Sequence, residues 1–545
     1  MMLINANMFS VIMSSTSVFP SPSKGIPGAY LIVFNLYLCC YLVTSLTNTV
    51  PPPRRYFATC IPGLESVLAK EISDIGGHGI EIGRSGVSFT EAPPKMGPND
   101  VDALTGASKE MTVGLKCLMW ARTCHRIMEL IATTQFPMGE GVGEQRYRNA
   151  VVYDKNDLYE FIQSSCDVKS LLGDGKGGML SFAVKVTIGA DTNAKNIPKE
   201  LCHTHFTALT VKNALVDKCR SERSDGERPN VDIVHPDVPL IVALRAATSS
   251  GIAGGAHVSV YRSLNGLDSL HRRGYRAAEE TAIHKAAMKE SMASGLLYEC
   301  GWHLLVAQAK MDGLPAVLID PMTGSGTFCL EAALMAADIA PGLIRMRAAS
   351  KALQDKATVP AVLRWKNSDI TLWRNLCQEA QVRRQKGLQW LLGRNPVTGN
   401  QNCHILGNDA HKGAYRLALQ CRQEADLPKS AIEFHNIDCQ EWKIAGHIVE
   451  GRTIVVVNPP WGLRLDIDTE RSWVALKSFL RGECVGAEAW ILSGNKHLTR
   501  TLNMKKTRSV PLKTAAETLR WLQYPIFKSS TLNTRNNTEI ISFNA

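Results

Sequence analysis

Short apolar runs alternate with helix-forming segments through the second half of the chain. From about Asn265 onward these runs are PAVLID, CHILGND, IEFHNID, RTIVVVN and EAWILSG, interspersed with sequence that favours helices. Apolar strands that alternate with helices are typical of a parallel, doubly wound sheet buried on both faces. The pattern therefore predicts an α/β domain over this half.

The preceding residues show a more mixed pattern. FATCIPGLESVLAKEISDIG predicts a strand, a Pro-Gly turn and an amphipathic helix, and GVSFTE then alternates as a strand does. A helix is expected over Leu115 to Ile131, after a loop at residues 92–109. Strands at SFAVKVTI, PLIVALRAA and AHVSVYR, around a helix from Thr207 to Cys219, predict a small α+β module.

The first 53 residues form an apolar leader in which Lys24 is the only charged residue. Ala29 to Leu46 is 18 residues without a charge, a length that can just span a bilayer. Three interpretations stay open: a membrane anchor, a cleaved targeting segment, or a true start nearer Arg54. The expected location is accordingly the cytoplasm or an organelle (plastid or mitochondrion), and a membrane is a partner only if the leader is kept.

Composition narrows the class of protein. A chain of 545 residues is expected to form two or three domains, and 45% hydrophobic with 20% charged residues excludes disorder through most of its length. The net charge of +11 favours a polyanionic partner. The 15 cysteines contain no CxxC pair, which favours reduced thiols over a disulfide framework. His203 and His205 belong to no convincing ligand set, so no metal is expected.

A glycine loop follows the first strand of the α/β half. Asp320 ends the strand, and Gly324, Ser325 and Gly326 lead into a helical run. Ligands of such sheets bind beyond the carboxyl ends of the strands, where glycines let the backbone approach closely. The loop lacks the third glycine of a dinucleotide site and the lysine of a P-loop. An acid before it suits a ligand with a cationic end, and S-adenosylmethionine fits.

Two more acids end the next apolar runs. Asp409 closes CHILGND, where a carboxylate can accept both ribose hydroxyls, and Asp438 closes IEFHNID, where it can accept from an adenine amino group. The alternative for each is a carboxylate that caps a loop or helix. Their position after successive strands, beside the glycine loop, favours cofactor binding.

The fourth strand runs directly into Asn458-Pro459-Pro460-Trp461. Consecutive prolines remove two amide donors, so the Pro459 carbonyl and the Asn458 side-chain oxygen form a pair of acceptors for an NH2 group. Trp461 offers a flat face on which an extruded base can stack. The alternative is a strand-ending turn with a packed indole. The tetrapeptide predicts methyl transfer to a planar amino group, with alignment and exclusion of water as the protein's contribution.

Two basic stretches are candidates for contacts with RNA phosphates. Residues 342–395 hold 11 Lys and Arg, including Arg383 and Arg384, against three acids, and we expect them near the cofactor end of the sheet. Arg272 and Arg273 lie in the hexapeptide HRRGYR between the two halves. A solvated helix face is the alternative for the first stretch.

With these residues identified, the chain resembles the THUMP-containing 23S rRNA (guanine-N2)-methyltransferase family. The stretches that carry the resemblance are FATCIPGLE, CLMWARTCHRIM, SLHRRGYR, AMKESMASGLL, VLIDPMTGSGTFCLEAALMAADIAPG, VVVNPPWGLRL and AWILSGNKHLTRTL. The resemblance implies a ferredoxin-like region at 54–113, a THUMP RNA-binding domain at 114–262 and a Rossmann-like methyltransferase domain at 263–535. It covers essentially everything from Tyr56 to Phe527.

The family's chemistry follows as an expectation: N2-methylguanine formed in large-subunit rRNA, with S-adenosylmethionine as the methyl donor. Asp320, Gly324 and Gly326 match the family's cofactor loop, Asp409 and Asp438 its later acids, and Asn458 to Trp461 its catalytic tetrapeptide. That tetrapeptide usually ends in Tyr, so Trp461 keeps a ring but loses a hydroxyl. The second methyltransferase domain of the bacterial fusion has no counterpart in this sequence, so its 7-methylguanine activity is not implied.

Three alternatives remain open at this stage. The substrate could be tRNA. The same tetrapeptide also serves N6-adenine in DNA or a glutamine side chain, although the RNA-binding module argues against both. A non-catalytic RNA-binding protein could retain the fold, but the intact glycine loop and Asn458 argue against this.

Overall fold

The computed structural model describes residues 53–92, 111–135, 151–189, 196–247, 254–276, 288–351, 359–461, 469–514 and 517–527. Apart from Pro53, the predicted leader lies outside these residues, as does the predicted loop at 92–109 apart from Ala92. Every structural statement below concerns the described residues.

One sheet of seven strands forms the N-terminal half. Its strands are β1 (Arg55–Thr59), β2 (His78–Gly83), β3 (Gly86–Thr90), β4 (Arg126–Thr133), β5 (Phe182–Ile188), β6 (Val238–Ala246) and β7 (Ala256–Ser263). They lie in the order β2-β3-β1-β4-β7-β6-β5, and the pairs are antiparallel except for the parallel pair of β5 and β6. The predicted ferredoxin-like (54–113) and RNA-binding (114–262) regions therefore share one continuous sheet, joined where β1 pairs with β4.

Helices cover this sheet and bury its apolar side chains. They are α1 (Glu65–Ile75), α2 (Thr112–Trp120), α3 (Lys155–Ser165), α4 (Val168–Leu172), α5 (Lys199–Cys202) and α6 (Thr204–Glu222). The prediction of a helix over Leu115 to Ile131 is right only for its first part, because α2 ends at Trp120 and β4 begins at Arg126. The break lies where the amides of Arg122 and Thr123 donate to the buried carboxylate of Glu71, at 2.6 and 3.1 Å.

The second sheet forms the C-terminal half. Its strands are β8 (Ala316–Asp320), β9 (Cys403–Asn408), β10 (Glu433–His435), β11 (Thr453–Val457), β12 (Glu488–Ser493), β13 (Arg508–Lys513) and β14 (Thr518–Pro525). The order is β10-β9-β8-β11-β12-β14-β13. The predicted parallel, doubly wound sheet is confirmed for β8 to β12, while β14 runs antiparallel to both β12 and β13.

Helices lie between and beside these strands. They are α7 (Glu290–Glu299), α8 (Trp302–Asp312), α9 (Thr327–Ala336), α10 (Pro341–Lys351), α11 (Ile370–Leu392), α12 (Lys412–Glu424), α13 (Thr469–Glu483) and α14 (Lys496–Thr501). The chain leaves β8 toward β9 on one side and returns to β11 on the other. This reversal of strand order opens a crevice at the carboxyl ends of β8 and β11, which is where such folds bind ligands.

A buried arginine joins the two halves. Arg273 is fully buried, donates to the carbonyls of Leu270 at 2.8 Å and Arg122 at 2.5 Å, and lies 3.4 Å from the carboxylate of Glu331 on α9. Tyr275 donates to the same carboxylate at 3.0 Å. A buried charge is tolerated only when it is paired and hydrogen-bonded, and this network meets that condition.

The basic stretch packs mainly against the N-terminal half, which corrects the expectation that it lies near the cofactor end. Trp365 and Trp373 belong to the same apolar cluster as the strands of the first sheet. The guanidinium of Arg262 on β7 lies 4.0 Å above the Trp365 ring. The aromatic side chains of the stretch thus anchor it on the first sheet.

Three broader features concern the described residues alone. Their cysteines are free thiols, and they contain no cluster of His, Cys, Asp or Glu arranged to hold a metal ion. Not one of their helices is by itself long and apolar enough to cross a membrane. By length and composition a bent pair, Thr327–Ala336 with Pro341–Ser350, passes that test; its first helix is almost wholly buried in the protein core.

Candidate active site

Two neighbouring strand ends bring the first predicted residues together. Asp320 is the last residue of β8, and Asn458 directly follows β11. The two strands pair in parallel, with Ile319 opposite Val455. All residues of both strands are buried, so their backbones are fixed and hold the residues that follow at one edge of the sheet.

The glycine loop makes a tight turn into α9. Gly324 and Gly326 have φ angles of +56° and +80°, a region that favours glycine, and the Gly326 amide donates to the Thr323 carbonyl at 2.8 Å. A Cβ at Gly326 would lie 3.1 Å from the Phe434 ring, whereas one at Gly324 would meet nothing within 4 Å. Ser325 is buried, with its hydroxyl 3.2 Å from that of Thr327. The backbone at Gly324 thus faces open space.

Asp409 and Asp320 both lie against this loop. Oδ2 of Asp409 accepts from the Gly324 amide at 2.9 Å, and Oδ1 accepts from the His411 amide at 2.9 Å. Burial raises the pKa of Asp409, against the effect of these two amides. Asp320 is 1% exposed, and burial raises its pKa to about 8, with a further contribution from the nearby charge of Asp409. A cationic group bound at the loop would favour the ionised form of both carboxyls.

Asp438 occupies a different environment from the other two acids. β10 ends at His435, so Asp438 follows the strand by three residues instead of closing it as the sequence predicts. The side chain is exposed, and Oδ1 accepts from the Gln440 amide at 2.9 Å. The structure thus shows a carboxylate that stabilises its own turn, which is the alternative interpretation, and its contact with a cofactor stays a prediction.

Asn408 is a site residue that sequence reasoning missed. It is fully buried; its side-chain nitrogen donates to the carbonyls of Pro321 at 3.3 Å and Ile437 at 2.9 Å, and its Oδ1 accepts from the Ile437 amide at 3.1 Å. Its carbonyl also accepts from the Thr323 amide at 2.8 Å. One amide side chain therefore ties together the loops after β8, β9 and β10. In the sequence, this role is indicated by an asparagine at the end of an apolar strand.

The tetrapeptide after β11 is held by two indoles. Trp473 on α13 is fully buried and donates from Nε1 to the Pro460 carbonyl at 2.9 Å. Nε1 of Trp461 donates to the Leu492 carbonyl on β12 at 3.2 Å. Oδ1 of Asn458 is buried and accepts no hydrogen bond from the described residues. A buried acceptor without a partner is costly, so this oxygen is poised for a donor from a ligand.

The ring of Trp461 is half-buried and packs at the border of two apolar clusters. A Cβ on Gly494 would lie 3.3 Å from the ring, so the absence of a side chain there lets the indole lie close to the chain after β12. This is the packed indole of the alternative interpretation. The ring is nevertheless partly exposed, and stacking of a base on it stays a prediction.

The predicted RNA-contacting arginines fall into two groups. Arg272 is exposed, as that role requires, but Arg273 is fully buried in the network with Glu331. The assignment of Arg273 to RNA contact is therefore wrong: its charge is used to join the two halves of the chain. The sequence HRRGYR does not by itself show which of its three arginines is buried.

Arg383 and Arg384 are engaged by acids of this chain. The guanidinium of Arg383 donates to both carboxylate oxygens of Asp338, at 2.8 and 2.9 Å, and lies 3.6 Å above the Trp120 ring. Arg384 donates to the carboxylate of Asp426 at 2.7 Å. A phosphate would have to compete with these pairs, so their contact with RNA stays a prediction that the geometry does not favour.

Comparisons with known sequence families match three parts of the chain. Residues 55–93 match the RlmL ferredoxin-like domain, residues 153–249 the THUMP domain, and residues 273–522 the RMKL-like methyltransferase domain. Among solved structures, a possible methylase from Clostridium difficile 630 superimposes with a TM-score of 0.61 at 19% identity, covering 88% of this chain and 99% of that one. SMU.472, solved in complex with SAH, gives 0.60 at 18%, covering 88% and 100%. These two likenesses show the shared fold.

Curated relatives are similar over most of the chain. The ribosomal RNA large subunit methyltransferase K/L of Allochromatium vinosum is 33% identical over 83% of this chain and 49% of its own length, and that of Syntrophotalea carbinolica is 27% identical over 87% and 54%. The chain thus spans about half the length of these relatives. A Synechocystis protein with the provisional name of an RNA methyltransferase is 26% identical over 87% of this chain and 97% of its own. The chain thus carries an RMKL-like methyltransferase domain, with an RlmL-type ferredoxin-like domain and a THUMP domain ahead of it.

Proposed function

We propose that this protein is an S-adenosylmethionine-dependent RNA methyltransferase that forms N2-methylguanine in large-subunit rRNA. The observation that carries the proposal is the buried Oδ1 of Asn458, which has no donor among the described residues and lies at a strand end adjacent to the Asp320 loop. The THUMP domain and the names of the relatives support RNA as the substrate.

The residues present fit the predicted cofactor. The open space at Gly324 admits a ligand against the loop backbone, and the buried carboxyl of Asp320 and the half-buried carboxyl of Asp409 suit its ammonium and hydroxyl groups. When bound, S-adenosylmethionine supplies an electrophilic methyl group on a sulfonium. Gly324, Ser325 and Gly326 would line that position, and Asp409 holds the loop in the required shape through its bond to the Gly324 amide.

The tetrapeptide would hold the acceptor. The carbonyl of Pro460 already accepts a hydrogen bond from Trp473. The carbonyl of Pro459 is therefore the backbone acceptor next to Oδ1 of Asn458. An exocyclic NH2 group that donates one hydrogen to each acceptor keeps its lone pair available for the methyl group. Because the two acceptors are fixed before the substrate arrives, they contribute orientation at little entropic cost. Guanine N2 is such a group, and Trp461 would stack against the base.

An assay of the full chain on RNA tests the proposal. Unmodified rRNA and tRNA transcripts are incubated with the protein and S-adenosylmethionine labelled in its methyl group, then digested to nucleosides and resolved by mass spectrometry. The proposal expects labelled N2-methylguanosine from large-subunit rRNA. Label in N6-methyladenosine, or in tRNA alone, would overturn the assignment of substrate, and absence of transfer together with absence of saturable cofactor binding would overturn the enzymatic function.

An rRNA substrate implies a compartment with ribosomes, which we propose to be the cytoplasm, a plastid or a mitochondrion.

A further inference from the structure

A second cleft lies where the two halves of the chain meet. Its volume is about 280 Å³, and no residue of the candidate active site lines it. Three parts of the chain form its walls: the turn before β6, at 234–236; the junction after β7, at 265–274; and α10 together with the segment at 359–364. It is thus bounded both by the half that carries the THUMP domain and by the methyltransferase domain.

Arg345 on α10 lines this cleft, and backbone carbonyls hold its side chain in place. Its guanidinium donates to the carbonyls of Leu118 and Leu270, which fix its position, and among the described residues no carboxylate lies at hydrogen-bond distance from its positive charge. Burial, and next the charge of Arg273, lower the pKa of Arg345 to about 9. An electropositive surrounding of this kind favours an anion.

Arg272 adds an exposed second cation to the lining of the cleft. The lining is not uniformly basic: Asp268 contributes an exposed carboxylate, and the guanidinium of Arg364 is paired with Asp237 at 2.8 Å. Arg272 and Arg345 are therefore the cations that a bound phosphate would meet.

The other walls of the cleft are apolar. Val234 is 65% exposed and Val359 is 42% exposed, and Pro236, Pro360 and Ala349 extend the apolar lining. Exposed apolar side chains beside convergent polar groups are typical of sites for ligands that are themselves part apolar and part charged. A nucleotide has this composition, because its base is planar and weakly polar while its phosphate is charged.

We propose that this cleft binds one nucleotide of the RNA substrate other than the methylated guanosine. The phosphate contacts Arg272 and Arg345, and the base or sugar packs on Val234 and Val359. The proposal rests on RNA as the substrate, but not on catalysis. Contacts to phosphates fix the register of a nucleic acid without reading its sequence, so the cleft would align RNA held by the N-terminal half with the methyltransferase site.

Direct binding of RNA to the full chain tests this cleft. The probe is a fluorescein-labelled single-stranded ten-nucleotide oligouridine, with binding followed by anisotropy over a range of salt concentrations. Arg272→Ala should weaken binding about fivefold and lower the slope of log K against log salt by about 0.7, the value for one phosphate contact on a single strand. Ala349→Phe, which fills the cleft without changing charge, should weaken binding and leave the slope unchanged. Lys505→Ala, an exposed cation outside the lining, is the matched control.

Thermal unfolding and S-adenosylmethionine binding identify any variant that fails to fold. If both cleft variants fold and bind the RNA like Lys505→Ala, the cleft is not a nucleotide site. A second readout uses 4-thiouridine in the same oligonucleotide: crosslinks within the lining segments 234–236, 265–274, 345–349 or 359–364 support the proposal, and crosslinks confined to other segments overturn it. Failure of the enzymatic proposal would appear separately, as RNA binding without methyl transfer in the wild-type protein.

Discussion

The Gly324 amide donates a hydrogen bond of 2.9 Å to the carboxylate of Asp409, which lies 85 positions further along the chain. The contact joins the loop after β8 to the end of β9 and holds Gly324 in its left-handed conformation. The same carboxylate accepts from the His411 amide. One oxygen of Asp409 therefore shapes the cofactor loop and the other stabilises the turn after β9. The sequence predicts ribose recognition for Asp409, with a capping carboxylate as the alternative.

Replacement of Asp409 should accordingly affect the loop as well as the ligand. We expect Asp409→Asn to weaken S-adenosylmethionine binding at least about tenfold, since the single oxygen of an asparagine side chain can accept from only one of the Gly324 and His411 amides and charge-assisted bonds contribute about 1.5–3 kcal/mol. Calorimetric titration measures the dissociation constant of S-adenosylmethionine. Asp426→Asn, which alters an acid paired with Arg384, is the control and should leave cofactor affinity unchanged. Equal affinities for the two variants would contradict the role given to Asp409.

The buried carboxyl of Asp320 should make the unliganded protein sensitive to pH. Its pKa is about 8 in the folded chain, against about 4 in an unfolded one, so its stabilising contribution is complete below pH 4 and is lost as the pH rises toward 8. Asp320→Asn removes this titration. The free energy of unfolding of the wild type, relative to the variant, should therefore fall by about 1.4 kcal/mol for each pH unit in this window. Parallel pH profiles in urea unfolding would contradict the burial of an ionisable group here.

The bond from Trp473 to the Pro460 carbonyl predicts a positioning residue. Trp473→Phe keeps most of the buried ring but removes the donor, so the tetrapeptide loses one of its fixed points. We expect kcat to fall about tenfold while S-adenosylmethionine affinity stays unchanged, because misplacement of reacting groups costs rate more than binding. Trp442→Phe makes the same change elsewhere in the same apolar cluster and should leave kcat within about twofold. Equal effects in both variants would mean that Trp473 contributes packing alone.

A methyl group at Gly494 should disturb Trp461 directly. The added Cβ would lie 3.3 Å from the indole and 3.1 Å from the Leu519 side chain, closer than ordinary contacts allow. Gly494→Ala should therefore displace the ring and reduce transfer to RNA, with cofactor binding preserved. Gly446→Ala, where a Cβ meets nothing within 4 Å, is the matched control. Unchanged turnover in Gly494→Ala would show that the position of Trp461 is not limiting.

The sequence predicted the parts of the site that follow directly from strand ends. Asp320, the glycine loop, Asp409 and Asn458 each come within a few residues of a buried apolar run, and a parallel sheet brings such ends to one edge. The local pattern was sufficient because the backbone of a buried strand leaves little freedom to the residue that follows it.

Other features depend on contacts between distant segments, and the sequence did not predict them. Asn408 and Trp473 act through hydrogen bonds to other loops, and nothing local distinguishes either from an ordinary core residue. Arg273 is paired with Glu331, 58 positions away, which no count of charges in the hexapeptide indicates. The sequence predicts a helix through the strand β4, because the buried residues of this strand do not alternate regularly with the more exposed ones.

The most direct test of the central claim is the single-turnover rate of methyl transfer to rRNA by Asn458→Ala, with S-adenosylmethionine affinity measured on the same sample. If Oδ1 of Asn458 holds the acceptor amino group, the rate should fall at least about 100-fold, as for loss of a preorganised polar group in other active sites, while the dissociation constant changes by less than about threefold. Transfer at a rate within a few-fold of the wild type would contradict the account.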